Sequence, residues 1–446
     1  MVESPKKSTY KNTIQNINYF LTLVVAFWMP LNEAYYPAIL GLWLAFWLFE
    51  GNFKTRFGNF KDVYLIMAFL LYFLITVVAV TYSNNKNDAW FEVQKKLSFA
   101  FFPFIFLGSN EIIKKNVRAI LMAFVLGSLA SSFYCIGNAF YQNLQFTYHG
   151  IVIKYWAYDD FAGWPFWKVF NDRYNLFSYI YLSVFKHPTY FSLYILFSIC
   201  IIYFFILKNK NSSKRKKFLA SILIMYFLVF VFFLQSRAGI LTSVFMVIFI
   251  IVLEIIRNYS RKLILISSFV VILLFGLLVT NERIIRNIKE ISEIIKVERI
   301  EYKNSDTRFN SWRAAVAVIK ENFIIGTAPA DVEAELVIKY KQYGQELAAS
   351  EKLNAHNQYL ESFAGLGLTG IILLLVILFK TLLAGIKTKN YLLILFLSMI
   401  MINFLFESML NRMAGFLFFM FFIGLLYFTG FQFKSSDENT VITTNG

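Results

Sequence analysis

Apolar runs of about 17–22 residues recur along nearly the whole chain, and a helix of that length crosses the roughly 30 Å hydrocarbon core of a bilayer. The composition agrees, because 58% of the 446 residues are hydrophobic and only 16% are charged. Soluble domains usually carry roughly a quarter charged residues. The sequence therefore predicts an all-α polytopic membrane protein.

About twelve transmembrane helices fit this pattern. Their predicted ranges are 17–31, 34–50, 63–82, 97–108, 119–139, 189–207, 218–235, 238–256, 262–280, 361–380, 390–406 and 413–431. The fourth is short and contains Pro103, so it is predicted to be tilted, broken or partly re-entrant. The resulting division is a cytoplasmic N-terminus (1–16), nine spans (17–280) with an outer loop (141–188), a polar loop (281–360), three spans (361–431) and a cytoplasmic tail (432–446).

The net charge of +16 does not indicate a nucleic-acid partner. Nucleic-acid binders gather Lys and Arg on one face of a fold, whereas here the basic residues stand at the ends of apolar runs, where membrane lipids and topology account for them. Their bias predicts that both termini are cytoplasmic and that the polar loop lies outside. Cys135 and Cys200 fall inside apolar spans, which argues against a structural disulfide.

The polar loop, 281–360, is predicted to contain three helices. Ile284, Ile288, Ile291 and Ile295 recur at helical spacing, which is typical of an amphipathic helix on a membrane surface. Asp306 is a candidate cap for a second helix, with one apolar side formed by Phe309, Trp312, Val316 and Ile319. Pro329 suits the first turn of a third helix that runs through Tyr340.

Three residues with cationic or potentially cationic side chains stand out on the predicted outer side. Arg237 lies in a very tight turn, where it either snorkels to lipid phosphate or binds a substrate phosphate through its two-pronged donor group. Arg308 alone is as easily a solvated surface charge. His356 alone suits an interfacial histidine with satisfied hydrogen bonds. Snorkelling and solvation are the simpler interpretations of each arginine by itself.

Taken together, the motifs resemble those of the O-antigen ligase and polymerase superfamily of bacterial surface-glycan enzymes. His356-Asn357 is followed, after nine residues, by Gly367-Leu-Thr-Gly370. Ser236-Arg-Ala-Gly239, Arg308-Phe-Asn-Ser-Trp312 and Asn322-Phe-Ile-Ile-Gly326 look like the same family's other blocks, in the same order. One departure is that relatives often have Gly-x-Gly where this chain has Gly326-Thr-Ala328, which affects the expected geometry of that turn.

The resemblance implies a GT-C-like membrane glycosyltransferase with a helical periplasmic loop domain in the bacterial inner membrane. Its expected donor is an undecaprenyl-diphosphate-linked glycan and its expected acceptor is lipid A–core, with inversion and without a metal or another cofactor. Arg237 and Arg308 are expected to stabilise the leaving diphosphate, and His356 to orient or deprotonate the acceptor hydroxyl. Ser236, Asn357 and Trp312 are expected to contact substrate, and Gly367 and Gly370 are the motif glycines.

Two other residues have less specific explanations. His187 precedes Pro188, which is more typical of a helix start than of a substrate contact. Glu407, between the last two spans, is expected to be solvated, with a role in orienting arginine or acceptor groups as the alternative.

Several functions remain open at this point. A ligase, a polymerase and a transferase that acts on protein hydroxyls would share one donor site. The large outer loop and the His356-Asn357 motif favour a ligase. A transporter or flippase is the alternative from another class, but it would need polar groups at mid-membrane depth, and the predicted spans carry most of their charges near their ends.

Overall fold

The computed structural model describes residues 5–57, 63–148, 150–172, 174–256, 265 and 307–432. The predicted ninth span (262–280, apart from Leu265), the predicted surface helix around residues 284–295 and the predicted cap at Asp306 lie outside the described residues, as does the tail from residue 433.

The described part is overwhelmingly helical. Its α-helices are α1 Pro5–Trp28, α2 Tyr36–Phe49, α3 Phe53–Arg56, α4 Val63–Tyr82, α5 Lys86–Leu107, α6 Glu111–Lys115, α7 Val117–Asn143, α8 Phe166–Asn171, α9 Tyr179–Leu182, α10 Pro188–Ile202, α11 Lys214–Phe233, α12 Arg237–Ile256, α13 Thr307–Glu321, α14 Val332–Gln342, α15 Glu346–Ser350, α16 Gln358–Lys387, α17 Tyr391–Phe404 and α18 Met413–Ile423. Two π-helical segments, Tyr203–Leu207 and Gly424–Phe428, extend α10 and α18. Short 3₁₀ turns occupy Glu33–Tyr35, Asp159–Phe161 and Met409–Asn411.

A small hairpin modifies the all-α prediction. Strand β1 (Leu144–Thr147) pairs antiparallel with β2 (Gly150–Ile153) in the outer loop predicted at 141–188. Pro103 does not interrupt the predicted fourth span, because α5 continues through it as one helix.

Six described helices are long and apolar enough to cross a membrane, and three shorter apolar helices accompany them. The long ones are Val63–Tyr82, Val117–Asn143, Pro188–Leu207, Lys214–Phe233, Arg237–Ile255 and Gln358–Lys387, and the short ones are Glu33–Phe49, Tyr391–Phe404 and Met413–Phe428. This supports a multi-pass membrane protein. The count of twelve spans stays a prediction.

Helix α10 lies at the centre of the bundle, and each of its residues is buried. It contacts α7, α11, α12 and α17. Phe418 of α18 packs on it, with its ring centroid 4.5 Å from that of Tyr194 and 5.3 Å from that of Phe396 in α17. Such aromatic packing contributes dispersion contacts that lipid alone does not supply.

Several helix ends meet at one end of this bundle. The hydroxyl of Ser236, just before α12, lies 3.4 Å from that of Thr189 at the start of α10. The amide nitrogen of Asn357, at the start of α16, donates to the carbonyl of Leu405 at the end of α17. The Tyr194 hydroxyl donates to the carbonyl of Ala414 at the start of α18. The chain therefore brings four turns together at this end.

Helices α13, α14 and α15 form a separate layer with its own small core. In α13 the buried apolar side consists of Ala314, Ala315, Val318 and Ile319, whereas Phe309 and Val316 are exposed. The predicted apolar side was therefore confirmed at Ile319 and wrong at Phe309 and Val316, because the small alanines allow close helix packing and leave these two larger side chains outside. Helix α14 also begins at Val332, three residues after the predicted Pro329.

The segment after α13 crosses α16 where that helix is broken. Gly367 has φ 63° and ψ −159° inside α16, and a Cβ there would lie 2.2 Å from the carbonyl oxygen of Ile324. Gly326 is equally confined, since its Cβ would lie 2.5 Å from the Gly367 nitrogen. Only glycine tolerates both the left-handed backbone and this approach.

Ala328 occupies the position where relatives of the expected family often have glycine. It is fully buried and has a φ of 75°. A left-handed conformation costs a residue with a Cβ about 1–2 kcal/mol. Alanine in place of glycine at position 328 thus strains this turn, but the turn still forms.

We predict that Gly367→Ala strongly destabilises the protein, because the new Cβ would overlap a backbone carbonyl that cannot move alone. The matched control is Gly137→Ala in α7, where a Cβ meets nothing within 4 Å. Thermal unfolding in detergent should show a large loss of melting temperature for the first variant and little change for the second. Equal melting temperatures for Gly367→Ala and wild type would contradict the crossing.

Candidate functional site

The loop that carries His356 is held in shape by two asparagines. Asn354 Oδ1 accepts a hydrogen bond from the His356 backbone N–H at 2.9 Å. Asn357 Oδ1 accepts from the N–H groups of Tyr359 and Leu360, which caps α16. His356 itself has a φ of 46°, an uncommon conformation for a non-glycine residue. The loop therefore fixes the backbone that carries the imidazole at a helix start.

Glu407 faces this imidazole from the turn between α17 and α18. Its Oε2 lies 3.9 Å from His356 Nδ1, which is an ion-pair distance when the histidine is protonated and too long for a hydrogen bond. Glu407 is buried, with 7% of its surface exposed. The solvated position expected from the sequence is therefore wrong.

An arginine and two histidines lie around the Glu407 carboxylate. Burial alone would raise its pKa, but His356, His187 and Arg308 together outweigh burial, so the pKa of Glu407 lies below its usual value. The carboxylate consequently stays charged at neutral pH and compensates the Arg308 guanidinium.

Arg308 approaches the cluster from the first turn of α13. Its guanidinium carbon lies 6.0 Å from the ring centroid of Phe406, next to Glu407 in the chain. It also acts electrostatically on both His187 and Glu407. The structure thus brings Arg308 and His356, two of the three residues singled out in the sequence, to one carboxylate.

His187 forms the helix start predicted from the sequence and also lies near Glu407. Its Nδ1 accepts from the Thr189 N–H and Pro188 follows at the first helical position, so the predicted helix start is confirmed. Its imidazole also interacts with the cluster. Burial lowers the pKa of His187, Glu407 opposes that effect, and Arg308, His356 and Arg412 add to it.

Arg237 begins α12 directly after a turn that packs against the start of α10. Ser236 Oγ accepts from the Gly239 N–H at 3.1 Å and contacts Thr189. A Cβ on Gly239 would lie 2.5 Å from the Cβ of Ser192, so glycine permits the close approach. The turn before Arg237 is therefore anchored at Thr189, two residues after His187. Ser236 makes this contact with its hydroxyl.

Trp312 lies one helical turn after Arg308 and lines an open groove of about 550 Å³ on the layer formed by α13, α14 and α15. Its neighbours there include Phe309, Arg313 and Tyr343. The Arg313 guanidinium stacks over the Tyr343 ring, with 4.5 Å to the centroid. The buried Trp312 Nε1 has no hydrogen-bond partner in the described structure. Aromatic and cationic walls of this kind suit a polar, ring-containing ligand.

The two motif glycines allow backbone geometry and close contacts in α16 that a side chain would prevent. Gly367 forms the break in α16 described above, and a Cβ on Gly370 would lie 2.3 Å from the Cβ of Leu366. Asn357, expected to contact substrate, caps α16 and ties it to Leu405. Within the described residues, no group of three or more His, Cys, Asp or Glu side chains could hold a metal ion.

Sequence reasoning undervalued Glu407 and passed over Arg412. A usable signal was present: Glu407 is an acid in a short turn between two apolar helices, close to the arginine at 412. Such an acid must be hydrated or paired, and the described structure shows that it is paired.

One comparison with known proteins gives a match. Residues 222–375 match the family described as O-antigen ligase, in agreement with the superfamily indicated by the motifs. The match covers about a third of the chain and includes Arg237, Arg308, His356 and Gly367. No curated protein matches the chain.

We predict that Glu407 makes stability depend on pH. Because its pKa is lower in the folded protein, its contribution is present above the unfolded value, near 4.5, and is lost as the pH falls through the lower folded value. The melting temperature of wild type should therefore fall more steeply below about pH 4.5 than that of Glu407→Gln. Glu333→Gln, at an exposed position of α14, is the control. Parallel curves for wild type and Glu407→Gln would contradict the predicted pairing.

Proposed function

We propose that this protein, whose residues 222–375 match the O-antigen ligase family, transfers a glycan from undecaprenyl diphosphate to a hydroxyl of lipid A–core. The transfer would occur at the periplasmic face of the bacterial inner membrane, with both chain termini in the cytoplasm. The family match supports a ligase- or polymerase-type glycosyltransferase. The observation that carries the finer proposal is the cluster of Arg308, His356, His187 and Glu407 at an end of the bundle.

The proposed donor site uses arginine. Breaking a sugar–diphosphate bond places growing negative charge on the leaving diphosphate, and fixed cations stabilise that charge most when they are already in position. Arg308 is held beside Glu407 and Phe406, and the Arg237 turn is anchored near His187. A guanidinium matches two phosphate oxygens at once, so no metal is required for this role.

The proposed acceptor site uses His356. The acceptor oxygen attacks the sugar carbon, the bond from that carbon to the diphosphate oxygen breaks with its electron pair, and the hydroxyl proton passes to the imidazole. Because Nδ1 faces Glu407, Nε2 is the nitrogen assigned to take the proton. A single displacement of this kind inverts the sugar carbon.

Glu407 stabilises the imidazolium that this step creates. A buried carboxylate near a histidine favours its charged form, and at 3.9 Å it does so without a short hydrogen bond. The proton then leaves to solvent, and the neutral imidazole is restored. His187, on the other side of Glu407, would help to hold the carboxylate in place.

A transporter or flippase fits these observations less well. Transport sites lie near the bilayer midplane, whereas His187, His356 and Glu407 all stand at or next to helix ends. Membrane lipids are the expected neighbours of the apolar helix faces.

We predict that Arg308→Ala and His356→Ala each lower glycan transfer about 100-fold or more, because loss of a charge-stabilising donor or of a general base has effects of this size. The assay uses purified protein, an undecaprenyl-diphosphate glycan and lipid A–core, with a chelator present. Arg237→Ala should lower glycan transfer to a similar extent. The control is Arg215→Ala, at an exposed position in the first turn of α11, and it should retain activity. Full activity in Arg308→Ala would remove the diphosphate role.

We predict that deletion of the gene leaves lipid A–core without long glycan chains while lipid-linked polymer accumulates, because the donor would still be made. Analysis of surface glycans measures the chains on lipid A–core, and analysis of lipid-linked glycans measures the accumulated polymer. Single repeat units attached to core would instead identify a polymerase. Normal glycan on lipid A–core, with loss of glycan from a protein, would identify transfer to protein hydroxyls.

A further inference from the structure

We propose that Glu361 is a positioning residue that sets the separation of His356 and Glu407. The proposal rests on the function proposed above. Glu361 lies in the first turn of α16 and is buried, with 7% of its surface exposed. It touches neither the imidazole of His356 nor the carboxylate of Glu407 through any hydrogen bond found in the described structure, and acts instead on the residues beside them.

The Glu361 carboxylate joins the two segments of the site through three hydrogen bonds. Oε2 accepts from the N–H of Ala355 at 3.0 Å and from the Ser408 hydroxyl at 3.1 Å. Oε1 accepts from Asn411 Nδ2 at 2.8 Å. Ala355 immediately precedes His356, and Ser408 immediately follows Glu407. A single oxygen therefore links the chain neighbours of both site residues.

Two other contacts join the same segments without reaching a chain neighbour of Glu407. Gln358 Oε1 accepts from the Leu410 N–H at 2.6 Å, and Asn357 ties α16 to Leu405. Asn357 directly follows His356, but Leu405 and Leu410 stand two and three residues from Glu407, so neither contact joins chain neighbours of both site residues. Glu361 is thus the contact through which a small displacement of one segment would change the spacing between the imidazole and Glu407.

The local environment suits an acidic side chain. Three donors point at its two oxygens, as a carboxylate requires. Lys96 lines the same small polar cavity as Glu361 and Asn411, and its Nζ lies 2.7 Å from Glu92. Glutamine keeps the shape of Glu361 and two of its acceptor bonds, and the Asn411 amide can rotate to meet the new donor. Alanine removes all three bonds.

The test is a double-mutant cycle in the transfer assay. Glu361→Ala should lower kcat on the order of 100-fold while the KM for donor changes little, because a misplacement of about 1 Å can cost that much. Glu361→Gln should rescue most of the activity. Glu407→Gln should cost far less in the Glu361→Ala background than in wild type, since interacting residues are not additive. Additive losses would overturn the proposal.

A second measurement does not depend on transfer. Diethyl pyrocarbonate modifies accessible histidines, and the chain has only three, so mass spectrometry can follow His356 against His187. Glu361→Ala should raise the rate at His356 several-fold, and Ser408→Ala, which removes only the turn-side bond, should raise it less. Unchanged rates in both variants would overturn the proposal. An inactive wild type with changed rates would refute the proposed function instead.

Asp331→Ala is the matched control for both measurements. Asp331 is also a buried acid with three hydrogen bonds, from Ser83 Oγ and from the backbone N–H groups of Asn84 and Asn85. Its loss should lower the melting temperature as Glu361→Ala does. Asp331→Ala combined with Glu407→Gln should give additive losses, and Asp331→Ala should leave the His356 modification rate unchanged. If Asp331→Ala matched Glu361→Ala in both measurements, Glu361 would be a purely structural residue.

Discussion

The buried carboxylate of Glu407 is the constraint on which the rest of this site depends. Burying a charge costs several kcal/mol unless partners offset the loss of water. Here the partners are Arg308, His356 and His187, which come from three different parts of the chain. The start of α10, the first turn of α13, the loop before α16 and the α17–α18 turn must therefore meet at one place. The bundle has little freedom to assemble in another way.

Membrane physics explains why such a place forms at helix ends. In a bilayer core, backbone groups must be satisfied within helices, and irregular backbone is tolerated where protein or water covers it. Left-handed residues occur at these ends, at His356 and at Gln235, while Gly367 breaks α16 where the segment after α13 crosses it. Strain of this kind costs on the order of 1–3 kcal/mol per residue and persists only where surrounding contacts hold it. The asparagine caps and the glycine crossing supply those contacts.

Much of the helical framework could be predicted from hydropathy, since membrane-length runs are a local signal. Motif spacing also selected Arg308 and His356, which the structure brings to one carboxylate. The buried state of Glu407 could not be predicted, because its partners lie about 50 or more residues away and leave no periodic pattern. The buried side of α13 was predicted at Ile319 but missed at its alanines, for a related reason. Hydrophobicity ranks Phe309 above Ala314, but close helix packing favours the smaller residue.

The same electrostatic balance bears on the proposed reaction. Before a donor binds, the Glu407 carboxylate compensates the charge of the Arg308 guanidinium, and the two imidazoles lie beside this pair. A diphosphate adds negative charge beside Arg308, and a protonated His356 adds positive charge beside Glu407. Each charge that the reaction creates then meets one of opposite sign that the fold has already placed. Preorganised charges stabilise a transition state without reorganising during the step, provided that their positions are held. For that reason the hydrogen bonds of Glu361, which reach the neighbours of both His356 and Glu407, belong to the chemistry of the site although Glu361 takes no part in the proton transfer.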